Sequence, residues 1–143
     1  LFSAATEVGG VIAAASGEQV RALFDYGDAL GIAFQIADDI LDYGGVSAST
    51  GKNVGDDFRE RKLTLPLIKA VAAADEGELD FWRRTIERGE QRDGDLEQAL
   101  SLLARHRAIL SARTEAMAWA DRASAASAPD SPSTETRRHP APT

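Results

Sequence analysis

Between Glu18 and Tyr43 the apolar positions Val20, Leu23, Phe24, Gly27, Leu30, Gly31, Phe34 and Leu41 recur at helical spacings of three and four. They predict one long helix, roughly 39 Å from end to end at 1.5 Å per residue. Ser16 followed three residues later by Gln19 reads as a capping box at its start, and Gly44-Gly45 ends it. Asp38 falls inside this apolar stripe, where the pattern asks for a hydrophobic residue. Ahead of this helix, residues 1–15 read as a helix of small residues. Gly9 and Gly10 weaken it in isolation but let a neighbour or a ligand approach closely. Thr6 and Glu7 read equally as satisfied core positions or as pocket positions.

Beyond Gly45, residues 46–58 read as a loop, and Arg59-Glu60-Arg61-Lys62 as a solvated, mixed-charge helix face. Thr64-Leu65-Pro66 opens a helix over about 65–75, since Pro is tolerated in a first turn. Residues 78–88 form another, closed by Gly89, with Phe81, Trp82 and Ile86 on its buried side. A last helix over 95–122 is capped by Asp95 and striped by Leu96, Leu100, Leu103, Leu110 and Met117. His106 reads as a surface or packing residue. No large apolar residue follows Trp119, and four of the five prolines stand at 129, 132, 140 and 142. That composition predicts disorder from about residue 126. Period-2 alternation is absent throughout, so the expected class is all-α, with four or five helices.

Composition narrows the chemistry. The 143 residues suit one domain, and the net charge is −7. With a pI near 4.8 the chain lacks the basic stripe that nucleic acid requires. There is no cysteine, which excludes disulfides and thiolate catalysis. No apolar run is long enough to span a membrane, and the first residues do not read as a signal peptide. The chain starts with Leu in what reads as mid-helix, which points to a fragment or a mis-started product. Within residues 34–43, FQIADDILDY, three carboxylates stand among apolar neighbours. On a helix Asp38 and Asp42 share a face, Gln35 lies beside them, and Asp39 leans toward the same point. Exposed to water, these acids are an ordinary helix edge. With Ile32, Phe34, Ile36, Ile40, Leu41 and Tyr43 around them, the expected setting is a buried helix. Crowded acids there conflict unless a hard cation such as Mg²⁺ joins them. Lys52, ten residues after Asp42, reads either as a solvated lysine or as an ammonium folded back over the acids. Gly51-Lys52 is not part of a P-loop.

The order of motifs resembles one family. FQIADDILDYGG at 34–45, GKNVGDD at 51–57 and FRERKLTLPLIKA at 58–70 resemble the second aspartate-rich region of trans-polyprenyl diphosphate synthases, of the bacterial octaprenyl/decaprenyl type. LFSAATEVGGVIA at the start and GDLEQAL at 94–100 are similar to the flanking parts of that family, so the resemblance covers about residues 1–123. It implies part of an isoprenoid-synthase-type helical bundle, with 124–143 a disordered tail foreign to the family. It implies a cytoplasmic transferase that condenses isopentenyl diphosphate head-to-tail with an allylic diphosphate, using Mg²⁺, and a homodimer for complete members. Carried over by position, Asp38, Asp39 and Asp42 hold metal, and Asp57 holds metal-bound water. Phe34 and Gln35 line the substrate site. Lys52 contacts the allylic diphosphate with Lys62 as helper, and Asp38, Asp42 and Lys52 carry the catalysis. In that pattern the first aspartate-rich motif lies upstream of Leu1, so the chain alone is expected to be inactive. The alternatives are a non-catalytic truncated relative and a divalent-ion-binding helical module.

Overall fold

The computed structural model describes residues 1–44 and 54–127. Its elements are α1 (Phe2–Ile12), α2 (Gly17–Tyr43), α3 (Asp56–Arg59), α4 (Leu65–Ala72), α5 (Glu76–Trp82), α6 (Asp95–Arg105) and α7 (Ala108–Ser127), with a π-helical turn at Arg83–Glu87 extending α5. The all-α expectation holds. The described residues hold seven α-helices rather than four or five, for two local reasons. A single-turn helix, α3, forms where a loop was expected. The helix expected over 95–122 breaks at His106 and Arg107, where Arg107 adopts a left-handed φ of 50°.

The capping box at Ser16 and Gln19 forms in both directions, with the Gln19 amide donating to Ser16 Oγ at 3.2 Å and the Ser16 amide to Gln19 Oε1 at 3.0 Å. Asp75 and Glu78 build a second box on α5. Asp95 does not cap α6: Gly94 is the cap residue. The Asp95 carboxylate instead takes both guanidinium nitrogens of Arg84, at 2.7 and 2.8 Å, and the Arg92 amide at 2.7 Å.

α2 carries two contact faces. One packs along α1, with Gly10 beside Val20 and Leu23 and Phe2 beside Gly27 and Gly31; a methyl group at Gly27 would stand 2.7 Å from the Phe2 carbonyl oxygen. The other lies along α7, where the buried residues are mostly alanines, among them Ala29 and Ala33 on α2 and Ala112 and Ala123 on α7. Small side chains let these two long helices pack closely. The break before α7 also resets its phase, so Leu110 and Met117, expected in the buried stripe, are 58% and 59% exposed.

The aromatic core lies at the far end of α2. Phe58, Leu67, Phe81, Trp82 and Leu103 pack there beneath Tyr43. Burying each such side chain is worth about 1.5–3 kcal/mol. Trp82 sits edge-on to Phe81 and Phe58, and its indole N–H has no hydrogen-bond partner among the described residues. Glu78 joins α5 to the corner between α6 and α7, accepting from Arg105 at 2.7 Å and pairing with His106 Nε2 at 2.7 Å. α7 runs to Ser127, so residues 124–127, expected within the disordered tail over 124–143, are helical. The rest of that tail lies outside the described residues.

Candidate functional site

The last two turns of α2 place the acids. The buried positions Ala29, Ala33, Ile36 and Tyr43 define the core side of this half of the helix. Asp38 stands about 200° round from Ile36 at 100° per residue, so it is exposed. The stripe read from the sequence is therefore the open face here: Phe34 is 59% and Leu41 67% exposed. Among the described residues the acids do not sit in a helix buried on all sides. Phe34 packs against the Phe2 ring of α1, with centroids 5.5 Å apart. Gln35 Nε2 donates to Asp39 Oδ1 at 2.9 Å. Gln35 thus reaches Asp39, one turn further along α2.

Asp42 lies at the border between core and open face. Gly55, with φ of 81°, turns the chain back onto it, a conformation that favours glycine. The Gly55 amide donates to the Asp42 carbonyl at 3.0 Å, and the Asp57 amide to the Asp42 carboxylate at 3.1 Å. This pair of bonds brings α3 against the end of α2 and puts Asp56 and Asp57 beside Asp42. Burial raises the Asp42 carboxyl above its ordinary value. The Asp57 amide bond opposes this, while the charges of Asp57 and Asp56 add to it. Negative charge at this corner is therefore crowded.

Two cations answer it. Arg59 donates to Asp56 at 2.9 Å and to the Val54 carbonyl at 3.0 Å. Lys62 Nζ lies 2.8 Å from Asp57 Oδ1 and 2.8 Å from Glu60 Oε2. The Asp57 and Glu60 carboxylates hold the Lys62 ammonium well above its usual range. Below them, Tyr43 is buried, and burial pushes its phenol up to about 12. Thr64 Oγ1 donates to Tyr43 Oη at 3.4 Å, tying the start of α4 to the end of α2.

The structure thus joins Asp42, Asp57 and Lys62 and sets Asp38, Asp39, Gln35 and Phe34 on the same helix end. Lys52 lies outside the described residues. Glu60 and Arg59 were read as parts of a solvated face. Their signal was the alternation of sign directly after Asp56-Asp57, which a one-turn helix folds onto itself. Among the described residues no three acid or histidine side chains converge as a ready-made metal cage. The donor set still fits a Mg²⁺-like ion. Such an ion takes one or two carboxylates and completes its shell with water and phosphate oxygens, and a positive charge relieves the crowding at Asp42.

A sequence profile described as Polyprenyl synthetase matches residues 1–103. The chain is 38% identical over 109 residues to an octaprenyl diphosphate synthase of Haemophilus influenzae, covering 76% of this chain and 33% of that protein. It is 44% identical over 92 residues to the octaprenyl diphosphate synthase of Escherichia coli, covering 64% of this chain and 28% of that protein. The fold matches a decaprenyl diphosphate synthase from Rhodobacter capsulatus with a TM-score of 0.81 and 63% identity, over 92% of this chain and 41% of that one. It also matches a polyprenyl synthase from Caulobacter crescentus complexed with calcium and isoprenyl diphosphate, with a TM-score of 0.80 and 47% identity, over 87% of this chain and 38% of that one. The chain spans about a third of the length of the curated relatives it matches, 33% and 28% for these two.

Proposed function

The chain belongs to the polyprenyl synthetase family, and on that footing we propose that it supplies one wall of a prenyltransferase site. The reaction is the head-to-tail joining of isopentenyl diphosphate to an allylic diphosphate to make a long-chain polyprenyl diphosphate. The observation that carries this reading is the Asp42 corner, where a metal-type carboxylate, the Asp57 amide and the Lys62 ammonium meet at the open end of α2. Ionisation of an allylic diphosphate concentrates negative charge on the leaving group. Metal and lysine placed there stabilise it as it develops. Asp38, Asp39 and Asp42 hold Mg²⁺ in this reading, and Asp57 holds a metal-bound water. Phe34 and Gln35 border the substrate, and Lys52 and Lys62 face its diphosphate. The relative crystallised with calcium and isoprenyl diphosphate supports this pairing of hard cation and diphosphate. The working location is cytoplasmic; no described helix is long and apolar enough to cross a membrane. Complete members act as homodimers in this reading.

The exposed Phe34 and Leu41 beside the acids favour a second reading for the isolated chain, in which it binds ion and diphosphate without turning over. Thermal melting in Mg²⁺ and pyrophosphate tests the shared part of both. At a hundredfold excess over Kd the ligands add about 2.7 kcal/mol. The shift is expected in the wild type and to be largely lost in Asp38→Ala; equal shifts in both proteins sink the assignment.

A further inference from the structure

We propose that Lys62 is a resident counter-ion that holds the place of the metal when none is bound, and that metal entry releases it toward the diphosphate. This deepens the reading above and rests on it. Three observations carry it. First, the Asp57 amide on the Asp42 carboxylate, at 3.1 Å, brings the turn that carries Asp56, Asp57 and Glu60 against the end of α2. Second, the Lys62 ammonium is held between two of those acids at 2.8 Å each, and its own amide donates to the Asp57 carbonyl at 2.9 Å. Backbone and side chain together fold Lys62 onto the turn rather than out into water. Third, the hold is asymmetric. The Asp57 side chain is 13% exposed and Glu60 61%, with Lys62 itself 55% exposed. The ammonium is therefore reachable by an anion from the open side and anchored from the inner one.

The exchange follows from charge alone. A divalent ion near Asp42 and Asp57 repels the ammonium and competes for the carboxylate that holds it. A diphosphate arriving with the ion offers the ammonium a new acceptor with more charge than Glu60. Lys62 then opposes metal binding on its own and favours metal binding together with diphosphate. No purely structural role for Lys62 produces both signs.

The test is calorimetry on the full chain, with Mg²⁺ alone and with Mg²⁺ plus inorganic pyrophosphate, for wild type, Lys62→Met and Lys62→Arg. In Lys62→Met, affinity for Mg²⁺ alone should rise by up to about fivefold, the scale of an exposed ion pair. Affinity for pyrophosphate in saturating Mg²⁺ should fall about tenfold, the scale of one charge-assisted contact. Lys62→Arg should restore the wild-type affinity for Mg²⁺ alone. Unchanged or weaker binding of Mg²⁺ alone by Lys62→Met, with pyrophosphate binding intact in the wild type, overturns the counter-ion role and leaves the site assignment standing. Absence of Mg²⁺ and pyrophosphate binding in the wild type and both variants overturns the site assignment and this proposal with it.

Discussion

At the scale of single residues, Asp42 and Asp95 respond to acid in opposite ways. The Arg84 guanidinium holds the Asp95 carboxyl below its ordinary value. Its contribution to stability is complete above the unfolded value of about 3.9 and is lost as pH falls through the lower folded value. Burial holds the Asp42 carboxyl above its ordinary value. Its charge opposes folding at neutral pH, and that opposition is relieved as pH falls toward about 4. Asp42→Asn should therefore raise the urea midpoint of the metal-free protein at pH 7, with the advantage fading near pH 4. It should also weaken the stabilisation by Mg²⁺ and pyrophosphate. A lower midpoint for Asp42→Asn at pH 7 would show that the acid is not held at a cost. The presence of the acids was legible from the sequence, because carboxylates among Ile36, Ile40 and Leu41 stand out. Their setting was not. Which side of an α-helix faces the core depends on where its partner lies, and Phe34 and Leu41 are as apolar as the residues that are buried.

At the scale of elements, the signals that survived were local. The Ser16 box, the stop at Gly44 and the start near Pro66 depend on atoms three or four residues apart, so the sequence contains all of them. The break at Arg107 carries no such signal: neither Gly nor Pro stands at the corner, and it depends on Glu78 reaching across from α5 to His106. Two close-packed sites, Gly27 on α2 and Phe58 on α3, also differ in kind. Gly27→Ala forces a methyl into Phe2 and Thr6 and should cost about 1–3 kcal/mol. Phe58→Ala empties a site that is 1% exposed and should cost about 3–5 kcal/mol. Chemical denaturation gives both values. Loss of less than about 1 kcal/mol in Phe58→Ala would mean that α3 is not anchored in the core.

At the scale of the molecule, large apolar side chains stand exposed on several helices, Leu110 and Met117 on α7 among them. Val8, Val11 and Ile12 on α1 and Phe34 and Leu41 on α2 are all more than half exposed. Curated relatives are about three times as long as the stretch matched here. The purified chain, given farnesyl diphosphate, labelled isopentenyl diphosphate and Mg²⁺, should form no elongated product above an Asp38→Ala control. Turnover should follow when the remaining part of a relative is supplied with it. Product from the chain alone would mean that a single carboxylate cluster is sufficient. The two tryptophans sit in different settings: Trp82 is buried and Trp119 is partly exposed. Trp82 sits in the aromatic core with no partner for its indole N–H among the described residues, whereas Trp119 lies half-buried on α7 under the Arg122 guanidinium, 4.4 Å from its ring centroid. An indole shielded from water and without an acceptor for its N–H emits toward the blue, and one beside a cation and solvent emits toward the red. The protein thus carries two built-in optical probes, one reading the core under Tyr43 and the other the α2–α7 seam, and their separate quenching can show which of the two loosens first.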